Sequence, residues 1–212
     1  MTDIDHVRDF EDRRWSGGDQ EAVWRHHAAA QMVRDTPVLD VGGGDGLLLR
    51  MLRDRGHTQL TAVDLSPVAV EKARAAGFAA DVADITQPLP YDDGAFATVC
   101  ALDVLEHLRD PLPPLREMAR VGRDVIIAVP NFSSLRSRLS VLAGDVPFQN
   151  RPRRGHVFWI NDHVLRELFD RAELDVIEWR REPSRRLPGG ARLADLRPNL
   201  FAVSFAARLR RR

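Results

Sequence analysis

The stretch that decides the fold is Val38-Leu-Asp-Val-Gly-Gly-Gly-Asp-Gly46, in which a short apolar run passes directly into a glycine-rich loop. A helical pattern begins at Leu47, immediately after the last glycine. Glycines allow a tight turn and let a ligand lie against the backbone, and the first N–H groups of the following helix attract a carboxylate or a phosphate. We therefore predict a strand, a ligand-binding loop and a helix, at the position where open α/β sheets bind their ligands.

Strand-like and helix-like segments alternate on both sides of this loop. Apolar runs that predict strands lie at residues 37–41, 60–63, 78–82, 96–102, 125–129, 174–179 and 200–206. Helical patterns lie at residues 19–34, 47–55, 66–77, 111–121 and 161–171. The alternation predicts right-handed crossovers and a mostly parallel sheet with helices on both faces. The last two strands have no helix between them, so we expect an antiparallel pair at one edge, joined by a mobile loop over residues 181–198.

The composition fits a globular protein of the cytoplasm. The chain has 212 residues, about the length of one domain, and 31 basic residues balance 31 acidic ones, which argues against a nucleic-acid-binding protein. Cys100 is the sole cysteine, so an intrachain disulfide and a cysteine metal cluster are excluded, and we expect no metal site. No apolar run has the length of a membrane helix, and the acidic first residues do not fit a secretory signal.

The spacing of the glycines separates two classes of loop. A dinucleotide-binding loop has the pattern G-x-G-x-x-G, which would require a third glycine at position 47, where the chain has Leu47. The glycines instead follow G-x-G-x-G from Gly42 to Gly46, with Asp40 before them. This pattern resembles the first motif of the class I S-adenosylmethionine (SAM) methyltransferases.

Three further segments resemble the same family and occur in the same order. Thr61-Ala-Val-Asp-Leu65 places Asp64 at the end of the second strand, where a carboxylate can accept hydrogen bonds from both ribose hydroxyls. Ala83-Asp-Ile85 resembles the segment whose aspartate contacts the adenine amino group and whose next residue packs on the ring; Asp81 is the alternative aspartate. Ala101-Leu-Asp-Val-Leu-Glu-His-Leu108 resembles the segment that lines the methionine end of the cofactor.

The resemblance implies a Rossmann-like class I methyltransferase fold with a mostly parallel seven-stranded sheet, an antiparallel edge strand and helices on both faces. It implies SAM as the cofactor and S-adenosylhomocysteine as its product. In related enzymes an aromatic residue before the first long helix closes over the cofactor, a position that Trp15 matches here. The cofactor-binding residues implied are Trp15, Asp40, Gly42, Gly43, Gly44, Gly46, Asp64, Leu65, Asp84, Ile85, Ala101, Leu102 and Asp103.

The segments after the fifth strand resemble a narrower group. Residues 121–132 and 135–139, together with Arg197-Pro-Asn-Leu-Phe-Ala202, are similar to the MetW-like methyltransferases associated with methionine biosynthesis. His156-Val-Phe-Trp-Ile160 is equally similar to many small-molecule methyltransferases. Two functions stay open: methyl transfer to a small molecule, or a SAM-fold partner protein with little or no transfer of its own.

Methyl transfer from a sulfonium is an in-line displacement with a good leaving group, so positioning in a dry pocket supplies much of the catalysis. A base is needed only where the acceptor must lose a proton. His107 and His156 are the candidate catalytic residues, and for each the alternative is a structural hydrogen bond. The remaining histidines fit helix or surface positions: His26, His27, His57 and His163.

We expect residues 1–212 to form a single domain, with an N-terminal helical cap at residues 1–35 and an acceptor-side insertion at residues 131–160. Leu135, Leu139 and Leu142 recur at helical spacing and predict a short helix in that insertion. An arginine cluster at positions 151, 153 and 154 fits either an acidic acceptor or a solvated charged surface. The expected partners are a small-molecule acceptor, no nucleic acid and no membrane, with a homodimer or an acyltransferase as the protein partner.

Overall fold

The computed structural model describes residues 3–17, 21–184 and 187–212, and a seven-stranded sheet runs through these ranges. Its strands are β1 (Val38–Val41), β2 (Leu60–Asp64), β3 (Ala79–Val82), β4 (Phe96–Leu102), β5 (Gly122–Pro130), β6 (Leu174–Pro183) and β7 (Ala202–Arg211). Their order is β3-β2-β1-β4-β5-β7-β6. Strands β1 to β5 pair in parallel, whereas β7 runs antiparallel to both β5 and β6. The predicted α/β fold, with its antiparallel pair at one edge, is confirmed.

Helices cover both faces of this sheet. They are α1 (Asp3–Trp15), α2 (Trp24–Met32), α3 (Leu47–Arg53), α4 (Pro67–Ala75), α5 (Leu112–Val121), α6 (Leu135–Leu142), α7 (Asp162–Arg171), α8 (Gly190–Leu196) and α9 (Pro198–Phe201). One apolar core forms beneath α2, α3 and α4, and a second beneath α5, α7 and α8. Side chains of β5 alternate between these cores, with Ile126 in the first and Ile127 in the second. No helix in the described ranges has the length and apolarity needed to span a membrane.

The start of the chain differs from its prediction in two respects: no separate helix was predicted where α1 lies, and α2 begins later than expected. The helix predicted over residues 19–34 begins at Trp24 as α2, and residues 18–20 lie outside the described part of the chain. By contrast, the predicted helix after β2 begins as expected. The Ser66 hydroxyl accepts a hydrogen bond from the Ala69 N–H at 3.2 Å, and Pro67 occupies the first turn.

The connection between the last two strands is not the mobile loop that was predicted over residues 181–198. Strand β6 continues to Pro183 because it pairs with β7 almost throughout, and the connection then forms α8 and α9. Buried Ala194 packs α8 into the second core, and Pro198 begins α9 where a strand was predicted from residue 200. Residues 185–186 lie outside the described residues.

Candidate functional site

The glycine loop leaves the end of β1 in a conformation that its glycines require. Gly42 and Gly44 have φ angles of 67° and 56°, in the left-handed region that side chains rarely adopt. A Cβ at Gly42 would lie 2.6 Å from Val104 Cγ2, and one at Gly44 would lie 2.0 Å from the Trp15 ring. The loop is therefore held between α1 and the segment that follows β4, and neither glycine position has space for a side chain.

Asp64, at the end of β2, fixes this loop from the other side. Its carboxylate accepts hydrogen bonds from the Gly44 N–H at 3.0 Å and the Ser66 N–H at 2.9 Å. Burial raises the pKa of Asp64, and these two hydrogen bonds oppose the rise. A carboxylate offers about four lone-pair sites, so two remain for hydroxyl groups of a ligand.

Asp40 and Asp45 are further buried carboxyl groups beside the loop, with different surroundings. Asp45 accepts a hydrogen bond from the Leu47 N–H and forms an ion pair with Arg50 at 2.8 Å. Asp40 is deeply buried, and burial together with the nearby Asp64 and Asp45 raises its pKa to about 8. These effects favour the protonated form of Asp40, which can donate a hydrogen bond.

A cavity of about 820 Å³ opens above the loop, between α1 and the carboxyl ends of β1, β2, β3 and β4. The predicted cofactor residues that line it are Trp15, Asp40, Gly42, Gly43, Asp64, Leu65, Asp84, Ile85, Leu102 and Asp103. Three others lie outside its lining: Gly44 is covered by the Trp15 ring, Gly46 packs against Phe78, and Ala101 is fully buried in the core. These three shape the loop and the sheet beneath the cavity.

The segment after β3 distinguishes the two candidate aspartates. Asp84 and Ile85 line the cavity, and the Asp84 carboxylate accepts hydrogen bonds from the Thr86 N–H at 2.9 Å and the Thr86 hydroxyl at 2.7 Å. Asp81 is exposed and pairs with Arg74 at 3.3 Å, outside the cavity lining. The alternation of the strand turns Asp81 away from the site.

Helix α1 covers the cavity. Val7, Phe10, Arg14 and Trp15 line it, and Trp15 is buried against the glycine loop. The Asp12 carboxylate accepts a hydrogen bond from the Ser66 hydroxyl, which ties α1 to the start of α4. An aromatic closing over the loop was predicted, and α1 lies within residues 1–35, where a helical cap was predicted without a separate helix over residues 3–15.

The segment after β4 brings the two predicted catalytic histidines together. The His107 and His156 rings lie 4.8 Å apart, edge to face, although 49 positions separate them in the sequence. The His107 Nδ1–H donates a hydrogen bond to the Gly155 carbonyl at 3.2 Å. His107 lines the 820 Å³ cavity, and both histidines line an adjoining polar cavity of about 40 Å³.

Burial controls the protonation of both histidines. It lowers the pKa of His107 to about 3 and that of His156 to about 4, with neighbouring positive charges adding to the effect. Both imidazoles are therefore neutral at pH 7. Their lone pairs are available to a ligand, but such low pKa values make them weak bases.

Sequence analysis missed several residues of the site. Arg25 of α2 was not predicted, and it pairs at 2.8 Å with Asp103, a predicted cofactor residue whose φ is 55°. His26 lies in α2 as predicted, but it is buried and lines the cavity. Glu106 was not predicted as a site residue, although it lies in the motif after β4, and its carboxylate is fully buried beside the two histidines.

The predicted acceptor-side insertion at residues 131–160 lines the cavity only in part. Gly155 and Val157 line the cavity, and Arg153, Arg154 and His156 line its small neighbour. The predicted helix forms as α6, but it does not pack on the sheet: its leucines 139 and 142 are 55% and 82% exposed. Trp159 is also exposed and takes no part in the cavity.

Comparison with known proteins places these features among methyltransferases. A family described as "Methyltransferase domain" matches residues 20–178. A ubiquinone biosynthesis O-methyltransferase of Xanthomonas oryzae pv. oryzae is 31% identical over 128 residues, which are 56% of this chain and 53% of that protein. One from Pseudomonas paraeruginosa is 31% identical over 130 residues, 57% of this chain and 56% of that protein. The chain thus spans about half the length of the curated relatives it matches.

Solved structures share the fold at low sequence identity. The magnesium protoporphyrin IX methyltransferase of Synechocystis PCC 6803, solved with bound S-adenosylhomocysteine, superposes with a TM-score of 0.69 at 17% identity and covers 99% of this chain and 100% of its own. The [4+2]-cyclase SpnF superposes with a TM-score of 0.62 at 18% identity, covering 92% and 85%. Because one neighbour is named as a cyclase, the fold alone does not fix the reaction.

Proposed function

The chain belongs to the methyltransferase domain family, and from this premise we propose that it transfers a methyl group from SAM to a small-molecule acceptor. The observation that carries the proposal is the 820 Å³ cavity, which joins the glycine loop and Asp64 at one end to His107 at the other. Its size lies within the roughly 300–1,000 Å³ typical of ligand pockets. A donor and an acceptor would meet between these ends.

The residues present fit the chemical groups of SAM. Asp64, with Leu65 beside it, has free lone pairs for the ribose hydroxyls, and Asp84 with Ile85 offers a carboxylate and an apolar surface to the adenine. The open backbone at Gly42 and Gly43, with Asp40 below, suits the polar end of the amino-acid tail. Gly44, Gly46 and Ala101 would maintain the shape of the loop, and Leu102 and Asp103 would border the methionine part.

SAM supplies an electrophilic methyl group on a sulfonium that already carries the charge. The chain's own residues would then position the reactants in line and exclude water. Phe10 and Trp15 of α1 cover one side of the cavity, and Gly155 and Val157 border the acceptor side. We propose that the helical cap at residues 1–35 and the insertion at residues 131–160 meet and together close the site, within a single domain of residues 1–212.

His107 and His156 are proposed as the groups that meet the acceptor. Because burial lowers the pKa of both histidines far below 7, they suit an acceptor that loses its proton readily or arrives as an anion. Arg14 and Arg154 line the small cavity beside them and would attract such an anion. The name of the curated relatives, ubiquinone biosynthesis O-methyltransferase, supports oxygen as the methylated atom.

The alternative function is that of a MetW-like partner protein of an acyltransferase, which transfers few or no methyl groups itself. This alternative predicts a site for the methyl donor without room for an acceptor. The cavity continues past the loop to His107, Gly155 and Val157, which supports transfer instead. A pull-down with homoserine acyltransferase separates the two functions, since only the alternative requires a stable complex.

The proposal is tested with SAM carrying a labelled methyl group and a panel of phenols, carboxylates and amines. We expect labelled product from an acidic oxygen acceptor. At limiting SAM, transfer should fall about tenfold or more in Asp64→Ala. It should be retained in the matched control Asp81→Ala, whose carboxylate is exposed outside the cavity. Absence of transfer to every class by a folded protein that binds SAM would overturn the proposal.

A further inference from the structure

Glu106, His107 and His156 converge beside the acceptor end of the cavity. Glu106 and His107 lie on the short turn Leu105–His107 after β4, and His156 comes from the insertion at residues 131–160. One ligand atom from each side chain lies within 4.8 Å of the other two. We propose that these three residues form a binding site for a divalent transition-metal ion of the Zn²⁺ or Mn²⁺ class, a departure from the sequence expectation that the chain holds no metal.

The Glu106 carboxylate is the first argument for a cation. The side chain is 0% exposed, and neither of its oxygens has a hydrogen-bond partner among the described residues. Glu106 Oε1 lies 3.9 Å from His156 Nε2, which is too far for a hydrogen bond. A buried carboxylate without partners costs several kcal/mol, and a cation at this point would remove that cost.

The histidines supply the second argument. His107 uses its Nδ1–H on the Gly155 carbonyl, which leaves the Nε2 lone pair buried and without a partner in the described part of the chain. A backbone acceptor on one ring nitrogen is the usual support for a metal bond at the other. The His156 side chain is almost completely buried, and its ring forms a hydrogen bond with the Gln149 backbone, while its Nδ1 lacks a partner among the residues described. Both rings are neutral, as metal ligands must be.

Two imidazoles and one carboxylate select the metal. This set matches catalytic Zn²⁺ sites and the two-histidine, one-carboxylate sites of other transition metals, whereas Mg²⁺ and Ca²⁺ favour oxygen ligands. Tetrahedral bonds of about 2.1 Å place ligand atoms about 3.4 Å apart, so atoms now up to 4.8 Å apart would approach one another by up to about 1.4 Å on binding.

The surroundings leave a coordination position for a ligand oxygen. The 40 Å³ polar cavity lies against both histidines and is also lined by Asp103, Arg14 and Arg154. A metal ion here would lower the pKa of a bound hydroxyl group, and the two arginines would stabilise the resulting anion. The cation would thereby promote loss of the acceptor proton, which the weakly basic histidines do little to promote.

A competing explanation for the buried, unpartnered Glu106 side chain is that it carries a proton and binds no metal, because burial raises its pKa well above the ordinary value. A neutral carboxylic acid needs no cation. The two explanations differ in metal stoichiometry, which is measurable without methyl donor or acceptor, so failure of this proposal is distinguishable from failure of the transfer proposal.

The experiment uses the full chain, stripped with a chelator and then titrated with Zn²⁺, Mn²⁺ and Mg²⁺ by calorimetry, with bound metal measured by mass spectrometry. We expect one equivalent of Zn²⁺ or Mn²⁺, weak Mg²⁺ binding, and a rise in melting temperature on binding. Co²⁺ should show the visible absorption of a protein-bound ion.

The variants separate the site from adventitious binding. Glu106→Gln and His156→Ala should each weaken binding by more than the roughly 10–100-fold that loss of a supporting residue costs. His163→Ala, at an exposed position of α7, should leave affinity unchanged and serves as the matched control. Absence of binding by the folded wild type, or equal affinity in all three variants, would overturn the proposal.

Discussion

The Asp64 carboxylate has two functions, since it stabilises the glycine loop and offers hydrogen-bond acceptors to the cavity. Replacing Asp64 by alanine removes both, and their losses are measured separately. Two buried backbone N–H groups, of Gly44 and Ser66, lose their acceptor in Asp64→Ala. An unsatisfied buried donor costs about 1–3 kcal/mol, partly offset because the burial of a carboxylate is itself removed. A net loss of about 1–2 kcal/mol would lower the melting temperature by roughly 2–8 °C for a chain of this size.

The same substitution removes the acceptor for the ribose hydroxyls. Each hydrogen bond to a charged group contributes about 1.5–3 kcal/mol, so loss of even one raises the dissociation constant for S-adenosylhomocysteine about tenfold to hundredfold. Calorimetry measures the affinity and thermal unfolding measures the stability, with Asp81→Ala as the control at an exposed aspartate. An unchanged affinity in folded Asp64→Ala would refute the assignment of the ribose to this residue.

Three further predictions test the site. Burial raises the pKa of Asp40 in the folded state from 3.8 to about 8, so the folded state binds a proton that the unfolded chain releases. The stability of the wild type should therefore fall as the pH rises from about 4 to 8. Asp40→Asn should unfold at a higher temperature than the wild type at pH 8 and lose that advantage near pH 4. Gly44→Ala should lower both the melting temperature and the affinity for S-adenosylhomocysteine, because the new Cβ would lie 2.0 Å from the Trp15 ring on a left-handed backbone. In the control Gly56→Ala, the backbone is also left-handed but no atom lies within 4 Å of the new Cβ, so only the melting temperature should fall. His156→Ala should reduce turnover about a hundredfold or more if the residue handles the acceptor proton or a metal, and should leave the binding of S-adenosylhomocysteine intact; a small effect on turnover would favour positioning alone.

The parts of the fold that sequence predicted are those with local causes. The glycine loop, the cap at Ser66 and the alternation of strands and helices each depend on neighbouring residues, and the structure contains all of them. The final connection was predicted poorly because α8 is stabilised by burial of Ala194 in a core formed by distant elements. Its sequence, rich in proline, glycine and arginine, is typical of a loop.

The candidate site was predictable only where a motif carried it. The glycine loop, Asp64 and Asp84 fall in motifs, and they line one cavity together with His107. The pairing of Arg25 with Asp103 and the approach of His156 to Glu106 connect residues 50 or more positions apart, so no local pattern reveals them. The exposed leucines of α6 show a second limit of sequence patterns: helical spacing predicts a helix, but it does not predict whether the apolar face is buried.

Calorimetric titration of the wild-type chain with S-adenosylhomocysteine and with NAD tests the central claim most directly, because both ligands carry an adenosine but require different glycine loops. The G-x-G-x-G loop, Asp64 and the cavity above them predict saturable binding of S-adenosylhomocysteine at one site and no binding of NAD. Binding of NAD without binding of S-adenosylhomocysteine would contradict the account.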